Sequence, residues 1–305
     1  MINRSFLFFV ILVFLVSCGK KNEQESNTSG NTTNQGSTTV ETKTNGSENK
    51  SEIQKTSSPA IGSYSGGFTA SVYNDRKDYV YENRITIFID SLSGEIMYGR
   101  SIVAGNNRPF SGKFTKDGSN YKAEVNEPGD DKYDGKFSFT IKIDEAKTNE
   151  IYLEGKWIAN DKKLDVTERT YNLYKKDFAY DPHNELPENI QWAELYGSNP
   201  KFPDRIEQLT AEVTKYNGST TEFKKEDLQN LYKGDLEIIR NAIYARHGYS
   251  FKTRRVRFIF DQFVPWYMPV STDVRNQLTE LEKKNIDLIK RFEEHAEKYY
   301  DEYGR

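Results

Sequence analysis

Between Ser63 and Tyr174 apolar and polar residues alternate with a period of two. Ile85, Ile87 and Ile89 are separated by Thr86 and Phe88, and Phe137, Phe139, Ile141 and Ile143 by Ser138, Thr140 and Lys142. Such alternation predicts strands with one buried face. Similar runs span Ser63 to Ser71, Gly94 to Val103, Phe110 to Thr115, Asn120 to Val125, Ile151 to Ala159 and Thr170 to Tyr174, with turn pairs such as Ser93-Gly94, Asp117-Gly118 and Asn160-Asp161 between them. The spacing predicts about eight short strands joined in chain order, with no room for crossover helices. An antiparallel meander follows, closed as a barrel or folded as a sandwich. Glycine beside an aromatic or basic residue recurs at Gly66-Gly-Phe68, Ser111-Gly-Lys-Phe114, Asp134-Gly-Lys-Phe137 and Glu154-Gly-Lys-Trp157. Glycine inside a strand marks a bend or a close backbone approach, so the repetition favours barrel closure.

The period then changes. From Asp177 to Thr221 the chain carries Pro182, Pro187, Pro200 and Pro203 and reads as a connector, with short helical pieces expected at Pro187 to Tyr196 and Pro203 to Lys215. Beyond it Leu228, Leu231, Leu236, Ile239 and Ile243 recur at helical spacing, and Gly248 stands where a C-terminal cap belongs. A second helix is expected over Thr253 to Phe263, stopped by Pro265, and a third from about Thr272 to Tyr300. The fold class is therefore α+β: an antiparallel barrel over 61–176, a connector over 177–221 and a small three-helix domain over 222–305.

At the other end, Arg4 precedes the apolar run Phe6 to Val16, which has the form of a secretory signal and is too short to span a bilayer. Leu15, Val16, Ser17 and Cys18 resemble the lipobox of bacterial lipoproteins. That resemblance implies cleavage after residue 17, a diacylglyceryl thioether on Cys18 and an acyl chain, such as palmitate, on its freed amine. Two or more acyl chains anchor stably, each buried methylene contributing about 0.8 kcal/mol. Gly19 replaces the aspartate that retains some lipoproteins at an inner membrane, so an outer membrane is expected in a diderm cell. Residues 18–60 are rich in Asn, Ser, Thr, Gly, Lys and Glu and read as a disordered tether with a reach on the order of 35 Å.

Cys18 is the sole cysteine, so no intramolecular disulfide forms and stability rests on packed cores. The 20 Tyr and 18 Phe supply them. A net charge of -3 gives no footprint for nucleic acid, and a monomer attached to a membrane through Cys18 is expected.

Two family resemblances bear on function. The opening Gly62-Ser-Tyr64 and the strand count are loosely similar to calycin-type barrels, the lipocalin and avidin group. An eight-stranded barrel holds one small ligand or is filled by its own side chains. No ring of ligand-reading groups stands out, so a filled or narrow interior is expected, with carriage of a small apolar ligand as the alternative. In the C-terminal part, Ile239-Arg-Asn-Ala-Ile-Tyr-Ala-Arg-His-Gly248 is similar to the signature of the YARHG domain, with Phe251, Pro265-Trp266-Tyr267 and Leu281-Glu-Lys-Lys-Asn285 around it. The resemblance covers about Lys224 to Glu294. It implies an extracellular module of bacterial envelope proteins and no particular activity.

Tyr244, Arg246 and His247, closed by Trp266 and Tyr267, are the candidate ligand site, because aromatic faces suit sugars and an arginine fork suits carboxylates or phosphates. The stronger reading is structural: His247 and Gly248 end a helix, Arg246 pairs with a carboxylate such as Glu282, and Tyr244 fills the core. Lys252, Arg254, Arg255 and Arg257, interleaved with Phe251, Phe258 and Phe260, either meet anionic envelope groups or form the solvated face of an amphipathic helix. Catalytic residues, metal ligands and cofactors are not expected: the three histidines lack ligand spacing, and no nucleophile elbow or phosphate-binding loop is present. Asp130 and Asp131 read as turn residues. The expected function is noncatalytic recognition of cell-wall glycan or an envelope protein, with an envelope hydrolase using Arg246 and His247 as the remotest reading.

Overall fold

The structure, a computed structural model, describes residues 58–299 apart from 76–80, 145–149, 192–197, 200, 201 and 207. The expected secretion signal, Cys18 and the expected tether as far as residue 57 lie outside the described residues, as does half of the helix expected at 187–196; the other half, 187–191, is not helical, and Ala60 at the end of the expected tether is buried in the barrel core.

The alternating segment folds as a closed eight-stranded antiparallel barrel: β1 (Gly62–Tyr73), β2 (Glu82–Ser93), β3 (Ile96–Val103), β4 (Asn106–Asp117), β5 (Asn120–Asn126), β6 (Gly135–Ile143), β7 (Ile151–Ala159) and β8 (Val166–Lys175), with β8 pairing back onto β1. Closure requires neighbouring backbones to approach closely. A Cβ at Gly155 would overlap the Ser138 carbonyl on β6, so glycine there lets β6 and β7 come together. One residue parity on every strand points inward. Phe68, Phe110, Phe137, Trp157 and Tyr171 fill the interior with aromatic pairs at centroid separations such as 5.8 Å for Phe68 and Trp157. Each such pair contributes about 0.5–1.5 kcal/mol beyond its buried area. The opposite parity on β4 to β8 carries Lys113, Thr115, Glu124, Lys136, Thr140 and Glu154, with Lys136–Glu124 and Lys142–Glu154 ion pairs. That exterior suits water, whereas a membrane-spanning barrel needs an apolar outer band.

The connector departs from expectation. Phe202–Ile206 is a strand, β10, paired with β9 (Ser198–Asn199), and among the described residues of the connector only Ala211–Lys215 forms a short 3-10 helix. Proline disfavours helical backbone in the residue before it, which pushes position 202 toward extension. Thr210, extended and with its hydroxyl accepting from the Glu212 N–H at 3.2 Å, delays the helical turn to 211.

Four helices follow: α1 (Lys225–Leu228), α2 (Lys233–Arg246), α3 (Arg254–Phe263) and α4 (Glu280–Tyr299). The first expected helix is split, because Asp227 accepts from the Lys224 N–H at 2.7 Å and Asp235 from the Tyr232 N–H at 3.2 Å, which starts two helices. The last begins at 280 rather than 272. Thr279 Oγ1 accepts from the Glu282 N–H at 3.2 Å while Glu282 Oε2 accepts from the Thr279 N–H at 2.9 Å, a reciprocal capping box that sets the start. Leu228, Leu236, Ile239, Ile243, Phe260 and Ile289 form the shared helical core.

The helical domain docks on β2. Arg84 donates through Nη1 to the carbonyls of Val264 (3.0 Å) and Tyr267 (2.7 Å) and through Nη2 to that of Asp261 (3.1 Å). A cation thereby meets the negative C-terminal end of α3. Beside it, Arg257 Nε donates to Asn83 Oδ1 (3.1 Å) and the Gly105 N–H to Ser250 Oγ (3.0 Å). Asp261, 5% exposed, is buried at this junction, and burial raises its carboxyl to about 7 against the pull of the Arg84 N–H and of Arg257.

Two outcomes follow from this junction. Arg84→Ala is expected to cost about 2–4 kcal/mol, since several partly buried carbonyls lose a charged donor, and to give separate transitions for barrel and helices in denaturant titrations. For Asp261, a folded-state pKa above the unfolded value means the native state holds the proton longer, so stability falls as pH rises from about 4 to about 7. Asp261→Asn is expected to flatten that slope and raise the melting temperature at pH 8, as thermal melts across pH would read.

Candidate functional site

The Tyr244-Ala-Arg-His-Gly248 pentapeptide is the C-terminal turn of α2 and its cap. Gly248 takes φ of +71°, a conformation that costs other L-residues, and lies against Phe178 and the Met268 carbonyl. The Gly248 N–H donates to the Ala245 carbonyl at 2.9 Å and the Tyr249 N–H to the Tyr244 carbonyl at 3.1 Å. These two bonds define a Schellman motif, and the Tyr244 and Tyr249 rings, 6.0 Å apart, supply its accompanying apolar contact.

The cap delivers two polar side chains into the interior. Arg246 is 2% exposed, His247 3% and Glu282 0%, too little for a ligand to reach them directly. His247 Nε2 lies 2.8 Å from Glu282 Oε2, and Tyr180 from the connector stacks on the imidazole at 4.3 Å while donating to Glu282 Oε1 at 3.1 Å. Burial alone would raise the Glu282 carboxyl, but hydrogen bonds from His247, the Thr279 N–H and Ser219 outweigh it and hold the group at about 2. Arg246 Nε donates to the Asn184 carbonyl at 2.8 Å, and its guanidinium lies 5.8 Å from the Trp266 ring centre. Burial lowers it to about 10, with Glu282 and Tyr180 opposing.

Of the five candidate residues, the structure gathers Arg246, His247 and Trp266. Tyr244 turns away toward Tyr249, and Tyr267 is enclosed among Phe251 and Phe260 with its hydroxyl donating to the Tyr249 carbonyl at 2.8 Å. The expected pairing of Arg246 with Glu282 is corrected as well: the last position of the turn, not the penultimate one, faces the start of α4, so His247 takes the carboxylate. Tyr180, Asn184 and Ser219 went unread because they come from the connector, where no spacing ties them to the motif. The Thr279-x-x-Glu282 capping signature was legible.

A second arrangement lies at one end of the barrel. Beneath α3 a cavity of about 600 Å³ opens over an aromatic floor of Phe68, Phe137 and Trp157. Around it stand Asn83, Arg108 and Arg169, all on the inward parity of their strands, and Glu127 just past the end of β5, together with Lys252, Arg254 and Arg257 from the helical domain. Glu127 accepts from Ser101 Oγ (3.0 Å), the Gly135 N–H (2.7 Å) and Trp157 Nε1 (3.1 Å), and burial raises its carboxyl despite them. Arg108 Nε lies 2.8 Å from Asp134 Oδ1, an ion pair without hydrogen-bond alignment. Arg169 donates to the Phe68 carbonyl at 2.8 Å and is lowered to about 10 by burial and by neighbouring Arg257.

Polar residues in the apolar phase of a strand were the signal for this ring: Arg169 two places before Tyr171, Arg108 two before Phe110, Asn83 two before Ile85. The basic cluster of α3 divides in a way neither sequence reading anticipated. Arg254 stays exposed, but Arg257, 7% exposed, points into the junction rather than into solvent. The barrel interior is thus filled over much of its length and open at this end. A larger, shallow saddle on the outer face of the barrel is lined by Thr, Ser, Lys and Glu side chains and gathers no comparable buried polar ring.

The profile of the YARHG domain family matches residues 211–294, beginning inside the expected connector at the 3-10 helix and ending within α4. No curated protein and no solved structure matches the chain.

Because the folded pKa of Glu282 is depressed, its contribution is fully present above about 4.5 and is lost as pH falls toward about 2. Glu282→Gln is expected to lower stability by about 2–3 kcal/mol at pH 7 and to remove that acid dependence, as denaturant titrations at pH 7, 4 and 3 would read.

Proposed function

Starting from a chain that carries a YARHG domain at residues 211–294, which points to an extracellular or envelope location, we propose a lipid-anchored envelope protein whose folded part recognises cell-wall glycan without catalysis. Cys18 carries the acyl anchor, the tether spans the distance from the lipid surface, and the barrel and helical domain act as one body. An outer membrane is the destination in a diderm cell.

The observation that carries the recognition reading is the open cavity at the junction, built from both domains and combining an aromatic floor with basic side chains. Sugar rings stack on aromatic faces, and arginine forks hold the carboxylates of acidic glycans. The Arg246 and His247 pair supports a noncatalytic reading, because both side chains are enclosed and engaged in holding helix ends. Tyr244, Trp266 and Tyr267 serve the same packing in this reading and leave ligand contact to the cavity.

The test is cosedimentation with purified cell-wall sacculi of the full chain carrying Cys18→Ser, which lacks the lipid acceptor. Pelleting is expected, and Lys252→Glu with Arg254→Glu, both exposed at the cavity rim, is expected to cut it at least about fivefold by reversing two charges. Absence of pelleting, or pelleting indifferent to the rim, contradicts wall recognition through this cavity.

A further inference from the structure

Three arginines converge on the junction cavity from separate elements. The side chain of Arg108 on β4 is 12% exposed, and Arg169 on β8 and Arg257 on α3 are 8% and 7% exposed. Burying a guanidinium group carries a desolvation penalty of several kcal/mol, and a void needing only to be filled would be filled more stably by apolar side chains. Carbonyl oxygens orient two of the three forks: Phe68 holds Arg169, and Lys252 holds Arg257 at 2.9 Å. Around the whole cavity, basic side chains outnumber acidic ones seven to four. The volume of about 600 Å³ is that of a small-molecule site, since ligand pockets run from about 300 to 1,000 Å³.

We infer that the cavity between the barrel mouth and α3 binds a small organic anion, a carboxylate or phosphate carried on a ring whose face stacks on aromatic side chains. Deepening the recognition reading above, this names the ligand chemistry of the same cavity. The anionic group lies among Arg108, Arg169 and Arg257, where charge-assisted hydrogen bonds are strongest, and the ring rests on Phe68 and Trp157. Lys163 and Lys252 at the rim draw the anion in. Arg108 is already matched by Asp134 and Asp131, but over the whole lining basic side chains remain in excess; a wholly apolar ligand would cover that excess without balancing it, which sets this site apart from that of a carrier of apolar molecules. Because Arg257 and Lys252 belong to the helical domain and Arg108 and Arg169 to the barrel, the site exists only while the two are docked.

The experiment is calorimetric titration of the full chain carrying Cys18→Ser with 1-naphthoate and with 1-naphthamide, which share ring and shape and differ in charge. Naphthoate is expected to bind at one site at least about tenfold more tightly than naphthamide, and to weaken several-fold when salt is raised to about 0.5 M. Arg257→Gln is expected to weaken naphthoate about tenfold or more. Should that variant fold poorly by thermal melting, Lys163→Gln with Lys252→Gln, both exposed, gives an independent reading with a loss of about threefold. Equal binding of the two probes makes the cavity an apolar site, and no binding of either makes it structural; both outcomes overturn the inference. Naphthoate binding by a protein that does not pellet with sacculi removes wall recognition and leaves the anion site standing, and pelleting without naphthoate binding does the reverse.

Discussion

One buried carboxylate, Glu282, ties the end of α2 to the start of α4. It closes the capping box of α4 with Thr279, receives His247 from the cap of α2 and takes the Tyr180 hydroxyl from the connector. An anion with no solvent exposure survives only when hydrogen-bond donors saturate it, so each of these segments is held in place by the requirement to supply one. The Schellman turn at Gly248 aims His247 at the carboxylate, and Arg246, one position earlier, braces the connector through the Asn184 carbonyl.

Geometry at this turn carries to the barrel. From Gly248 the chain runs through Ser250, whose hydroxyl takes the Gly105 N–H, into α3, where carbonyls of its last turn and of the segment just after it take Arg84. The direction in which the chain leaves the α2 cap therefore determines whether α3 reaches β2. Once α3 is seated, Arg257 lies over the open end of the barrel beside Arg169, and the cavity acquires a roof. Fold and binding chemistry meet through the orientation of a single short helix.

Much of this was legible in the chain. Period-two alternation and turn glycines marked all eight strands, because a barrel wall repeats one local rule, and the pentapeptide marked the cap at Gly248 because only glycine suits that backbone. The connector was misread where Ile206, Leu209 and Val213 imitate helical spacing, while Pro203 turns the chain toward extension. The partner of Glu282 was missed for a different reason: which of two adjacent residues at a helix end faces a carboxylate depends on how the helices pack. The arginine ring was visible as polar residues on the inward parity of Asn83, Arg108 and Arg169, but its meaning arises only when register aligns the strands and α3 arrives above them.

A double-mutant cycle joining His247→Gln and Glu282→Gln, read by denaturant titration at pH 7, measures most directly whether this carboxylate organises the helical domain. A coupling of about 1–3 kcal/mol between the two positions is the result predicted for groups that hold each other in place. Additive losses, with coupling near zero, would contradict it and reduce the pair to two separately tolerated polar residues.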